Sequence, residues 1–96
     1  MDIEGLQASL RRFAAARAWE PFHSPKNLAT ALMVEAAELA EIFQWMTPEQ
    51  SREAHQDAAV KQHIGEELAD VLLYLVHVAD KTEVDLDAAV ADKLAK

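Results

Sequence analysis

The sequence predicts an all-α protein, a compact four-helix bundle with an additional short helix. Three observations carry that prediction. Apolar residues recur at three- and four-residue spacing along four stretches of the chain. No stretch alternates with period two for more than a few residues, so strand signals are absent. Helix start signals, Ser24-Pro25, Thr47-Pro48 and Asp85, separate the apolar stretches.

Ile3, Leu6, Leu10 and Phe13 place the first helix over about Ile3 to Arg17, with Phe13 in the core. Pro21 and Pro25 bracket the loop that follows, where no helix can continue. Ser24 as N-cap and Pro25 at the first helical position launch a second helix to about Trp45, with Phe43 also assigned to the core. Thr47, Pro48 and Gln50 form a capping-box pattern opening a short helix to about His55. A long helix follows from about Val60 to Lys81, and Asp85 caps a last helix. With 96 residues, 51% of them hydrophobic, and only two Gly and three Pro, the chain reads as one folded domain over residues 1–96.

Composition excludes several function classes. A net charge of −8 argues against nucleic acid and anionic membrane surfaces as partners, since both require a cationic face. The absence of cysteine rules out disulfides, thiolate zinc sites and Cys nucleophiles. The longest nearly unbroken apolar run, Val71 to Ala79, is too short to span a bilayer. Met1-Asp2-Ile3-Glu4 carries acids where an export signal carries bases, which predicts a cytoplasmic protein.

The second helix holds an anomaly. Leu28, Leu32, Leu39, Phe43 and Met46 share a stripe, and Glu35 falls inside it with Glu38 on its shoulder. A carboxylate there is costly to desolvate unless a cation meets it. The long helix repeats the pattern, with Glu67 and Asp70 on one margin of the arc formed by Ile64, Leu68, Val71, Leu72, Leu75 and Ala79. An i, i+3 spacing sets two carboxylates about 5–6 Å apart at Cβ, so two such margins packed together bring four acids into one cleft. All-oxygen clusters of this kind suit Mg²⁺, with Mn²⁺ also possible. The competing explanation is that each acid pair is simply a solvated face. Trp45 and Tyr74 each follow an acid by seven residues, on the same side of the helix, and Trp19, Phe22 and His23 form a third aromatic group. Such rings either stack on a planar base or pack in the core.

Histidines help by exclusion. The one Glu-x-x-His match, Glu20 to His23, contains a proline and lies in a loop, so a di-iron bundle site is not supported. His55 and His63 have the wrong spacing for a ligand pair, and His77, off the apolar arc of the long helix, is a weak functional candidate. No glycine-rich phosphate cradle and no nucleophile elbow occurs.

Glu35-Ala36-Ala37-Glu38 followed by Glu67-Leu68-Ala69-Asp70 resembles the E-x-x-E…E-x-x-D signature of the MazG-like, all-α nucleoside triphosphate pyrophosphohydrolases. Within them the chain is most similar to the dCTP pyrophosphatase branch, through Trp19 to Leu28, Glu35 to Leu39, Ile42 to Trp45 and Glu66 to Leu75. The resemblance implies Mg²⁺-dependent hydrolysis of a dCTP-like nucleoside triphosphate to monophosphate and pyrophosphate, a nucleotide-pool house-cleaning reaction. It implies Glu35, Glu38, Glu67 and Asp70 as catalytic metal ligands and Trp19, Trp45 and Tyr74 as the base pocket. His23, Lys26 and Asn27 match the loop and helix start where base or phosphate is touched, and Lys93 matches a phosphate-contacting lysine of the last helix. In similar proteins that helix continues into an Asn and a basic, Tyr-Pro-containing tail, ahead of which Lys96 ends this sequence. The family resemblance also implies a homodimer or homotetramer. Leu73 and Val76, outside the main arc, make the long helix apolar nearly all round, as a partner subunit would require. The rival reading is a non-catalytic helical interaction module, for which Glu35 inside an apolar stripe has no use.

Overall fold

The computed structural model describes residues 1–96, and it contains helices and turns but no strand. The helices are α1 (Ile3–Ala16), α2 (Pro25–Phe43), α3 (Pro48–Arg52), α4 (Ala58–Lys81) and α5 (Leu86–Ala95), with 3₁₀ turns at Glu20–Phe22 and Ala54–Gln56. The all-α class and the additional short helix are as the sequence predicts.

Local capping fixes most of the boundaries. Ser24 Oγ accepts from the Asn27 N–H at 3.1 Å, and Asp85 Oδ1 accepts from the Ala88 N–H at 3.1 Å. Thr47 and Gln50 make the reciprocal capping box, with bonds of 3.1 and 2.9 Å. α4 starts two residues before the expected Val60, because Asp57 Oδ1 accepts from Ala59 and Val60. α2 ends at Phe43, two residues short of Trp45.

Both α1 and α4 terminate without glycine. Ala18 and Glu83 adopt left-handed φ values of 54° and 57°. At each end the chain closes a Schellman pair: Trp19 N–H donates to Ala14 O and Ala18 N–H to Ala15 O, while Val84 N–H donates to Ala79 O and Glu83 N–H to Asp80 O. The first of these turns sends the chain back so that Trp19 meets Phe13 edge to face, with ring centroids 5.5 Å apart.

α2 and α4 form the central pair, and α1 packs on α4. Arg11 of α1 forms an ion pair with Asp80 of α4 at 2.6 Å, and Gln7 Nε2 donates to Val76 O at 3.4 Å. Few side chains are sealed in the single chain: Leu28 and Val76 are the largest that are fully buried. This shifts the expected core. Phe13 is half exposed with Arg17 stacked 3.5 Å over its ring, whereas Val76, expected off the main arc, is wholly buried. Leu68 and Leu75, expected inside, stand exposed. A helix apolar on every side does not specify by periodicity which face its own chain will cover, and α1 covers the Val76 side. α5 buries none of its residues. The radius of gyration, 15.7 Å, exceeds the roughly 12.5 Å of a compact domain of this length.

Candidate active site: an acidic cluster beside an aromatic pocket

The cluster is built where α2 and α4 lie alongside each other. Glu35 and Glu38 project from α2 one turn apart, and Glu67 projects from α4. Carboxylate oxygens from all three lie within 4.8 Å of one another. Glu35 Oε2 and Glu67 Oε2 are sealed from water without a hydrogen-bond partner. Burial pushes the Glu35 carboxyl up to about 7, helped by a hydrogen bond and repulsion from Glu38 and by the charges of Asp70 and Glu67. Glu67 is raised for the same first reason, then by Glu38 and Asp70, with His63 opposing. His63 Nε2 lies 3.5 Å from a Glu67 oxygen, and its side chain is more than half exposed.

Asp70 acts on Glu35 and Glu67 electrostatically yet stands outside the tight trio. It lines instead a cavity of about 200 Å³ with Trp19, His23, Tyr74 and His77, walled by Leu10, Phe13, Ala14 and Leu73. The rings form a continuous edge-to-face series: Phe13 to Trp19 at 5.5 Å, Trp19 to His23 at 6.2 Å and His23 to His77 at 4.7 Å. Asn27 Nδ2 donates to Phe22 O at 3.0 Å, which ties the loop carrying Trp19 and His23 to the start of α2.

The structure therefore gathers Glu35, Glu38 and Glu67 in one place and Trp19, His23, Asp70 and Tyr74 in the adjoining one. It does not gather the rest. Trp45 is 89% exposed and lines neither, and Lys26 and Lys93 are exposed away from the pocket lining. His77, only a weak candidate in the sequence, belongs to the site by position. It is 5% exposed and part of the pocket wall. The signal was available, since Glu67, Asp70, Tyr74 and His77 follow at i, i+3, i+7 and i+10 along one stripe of α4.

A larger concavity, about 660 Å³, lies at the opposite end of α4. Asp2, Glu4, Asp80, Glu83, Asp85 and Asp87 ring it with no Lys or Arg side chain in the lining, so it disfavours an anionic ligand. No helix is long and apolar enough to cross a membrane.

The trio suits a hard divalent cation. Its donors are all carboxylate oxygens, two of them buried and unpartnered, and their mutual repulsion is of the kind that a small doubly charged ion relieves.

The chain is similar to several known proteins. The dCTP pyrophosphatase 1 proteins of Homo sapiens and Rattus norvegicus are 45% and 44% identical to the chain over 93 residues, which is 97% of it. The chain spans about half the length of these curated relatives, 53% in each case. The crystal structure of a pyrophosphatase from Archaeoglobus fulgidus superposes with a TM-score of 0.89 at 38% identity, covering 99% of this chain and 87% of that one. Residues 30–96, which include both acid pairs and the whole of α4, match the model of the MazG-like family. The chain belongs to the MazG-like family.

Proposed function

We propose that the protein is a Mg²⁺-dependent nucleoside triphosphate pyrophosphohydrolase that cleaves a dCTP-like substrate to the monophosphate and pyrophosphate, clearing the nucleotide pool. The observation that carries this reading is the pair of buried, unpartnered oxygens on Glu35 and Glu67, held with Glu38 within 4.8 Å. An interaction module has no use for such a costly arrangement. The substrate class follows the names of the relatives, two of which are dCTP pyrophosphatases.

Glu35, Glu38 and Glu67 would hold the metal, with Asp70 beside them facing the nucleotide. When bound, Mg²⁺ supplies neutralisation of phosphate oxygens and a lowered pKa for a coordinated water. The chain's own groups do the rest. In the metal-free cluster Glu35, pushed up to about 7, holds a proton that it gives up when the ion binds. Trp19 and Tyr74 offer ring faces to a planar base in the adjoining pocket, and Asn27 fixes the loop that carries Trp19 and His23. Lys26 and Lys93, both exposed, are available to phosphate by side-chain reach.

The working form is a homodimer or a dimer of dimers in the cytoplasm. The single chain exposes 7041 Å², against about 5,500 Å² for a folded monomer of its mass. Met33, Leu68, Leu75, Val90 and Leu94 contribute to the excess. Covered by a second copy, that difference amounts to about 3,000 Å² counted over both chains, within the roughly 2,000–5,000 Å² of obligate homodimers. Trp45 joins the substrate site in this form, from a position it cannot reach within one chain. With a net charge of −8, nucleic acid is not a partner.

The test is pyrophosphate release from a panel of ribo- and deoxynucleoside triphosphates with and without Mg²⁺. Metal-dependent release with a monophosphate product, fastest for dCTP, is expected. Orthophosphate as the product, or no release from any triphosphate, contradicts the proposal.

A further inference from the structure

His77 sits at the end of the aromatic pocket farthest from the acids. It lies seven residues beyond Asp70, about 10 Å along the helix axis at 1.5 Å per residue. Its side chain is buried and lines the cavity with the ring of His23, 4.7 Å away and nearly perpendicular at 83°. His77 Nε2 and His23 Nδ1 are both buried, and neither has a hydrogen-bond partner. The aliphatic wall around them has nothing to offer. Burial, followed by His23 and Lys81, lowers the His77 pKa against a weaker pull from Asp80, which is paired with Arg11. At neutral pH His77 is thus an uncharged imidazole with one donor and one acceptor.

Two unpartnered nitrogens on rings that line one cavity mark the place where a ligand's polar edge belongs. The cavity, about 200 Å³, is too small for a whole nucleotide and suits a single heterocycle, since pockets for larger ligands run to roughly 300–1,000 Å³. We infer that His77, together with His23, hydrogen-bonds the edge of the nucleobase, and that His77 determines which base is accepted. Trp19 and Tyr74 flank the base while the triphosphate runs back past Asp70 to the acids. This assignment rests on the nucleotide reading of the site.

The experiment compares wild type with His77→Phe, which keeps a ring but removes both nitrogens, and with His77→Ala, in case the larger ring disturbs packing. Melting curves with and without Mg²⁺ confirm that fold and metal site persist in at least one variant. Expected is a fall of about tenfold or more in kcat/KM for the favoured triphosphate, carried by KM, with less than threefold change for the others. Equal losses for every base, or an unchanged preference, overturns the inference. A wild type that cleaves no triphosphate defeats the nucleotide-hydrolase reading, and a second arm then decides the present one. In that arm, ring ¹⁵N resonances of wild type are followed as free deoxynucleosides are added. A shift at His77 Nε2 with one of them supports base recognition, and no shift with any contradicts it.

Discussion

Glu35 on α2 and Glu67 on α4 face each other with one oxygen apiece buried and unpartnered, and with Glu38 in reach of both. Like charges held this closely destabilise the fold that holds them. The fold gains from the arrangement only if a cation binds it, so the cost points to a purpose.

That cost has a measurable pH signature. Glu35 has an ordinary value of 4.5 and a folded value of about 7, so between those values the folded chain keeps a proton that the unfolded chain has released. Metal-free stability therefore falls as pH rises from about 4.5 to 7 and levels off above that. In Glu35→Gln this part of the slope disappears, and the metal-free protein is more stable than wild type at pH 8. Urea midpoints at several pH values in EDTA check this, and identical pH slopes for the two proteins would refute it.

Metal affinity should run the opposite way. The Glu35 proton must leave before the carboxylate can bind a cation, so Mg²⁺ binds more tightly as pH rises toward about 7 and gains little beyond. Calorimetric titrations from pH 5.5 to 8.5 should trace that curve, with proton release on binding at the acid end. A flat profile would place the metal elsewhere.

Glu38→Gln should abolish turnover while leaving the helical content intact, because Glu38 is the exposed member of the trio and its charge adds to the repulsion there. The melting temperature without metal should rise or stay level. Near-normal turnover in this variant would remove Glu38 from the metal site.

Exposed apolar side chains predict association. Leu68→Glu, on the face of α4 that its own chain leaves open, should shift the sedimenting species toward a single chain and lower activity at low protein concentration. Wild type sedimenting as a monomer at micromolar concentration would contradict the expectation.

Ala18 sits in the left-handed turn that aims Trp19 at Phe13, where a Cβ is unwelcome. Ala18→Gly should stabilise the protein by about 0.5–1 kcal/mol without changing its activity. Urea unfolding reads this directly, and destabilisation would mean that the turn depends on the methyl group.

What the sequence revealed, and what it hid, divides along physical lines. Ser24, Thr47 and Asp85 were legible because a cap is a local event, settled within three residues. Glu35 stood out because a charge inside an apolar stripe is an anomaly at any stage of folding. The ends of α1 and α4 fall within one residue of the predicted Arg17 and Lys81, but the left-handed turns that close them were obscure, because alanine and glutamate occupy positions that usually announce themselves with glycine. The face of α4 that α1 covers was hidden for another reason: Leu68, Leu75 and Val76 are equally apolar, and only tertiary packing decides among them. His77 stood only as a weak candidate because it lies off that apolar arc, although the spacing from Asp70 and Tyr74 already placed it in line with the site.

The most direct test of the central claim is a Mn²⁺ titration followed by electron paramagnetic resonance, which counts free ion in the presence of protein. The account predicts at least one tightly bound Mn²⁺ per chain in wild type, displaced by excess Mg²⁺, and loss of that binding in Glu35→Gln. Free Mn²⁺ rising in proportion to added metal, with wild type indistinguishable from buffer, would contradict it.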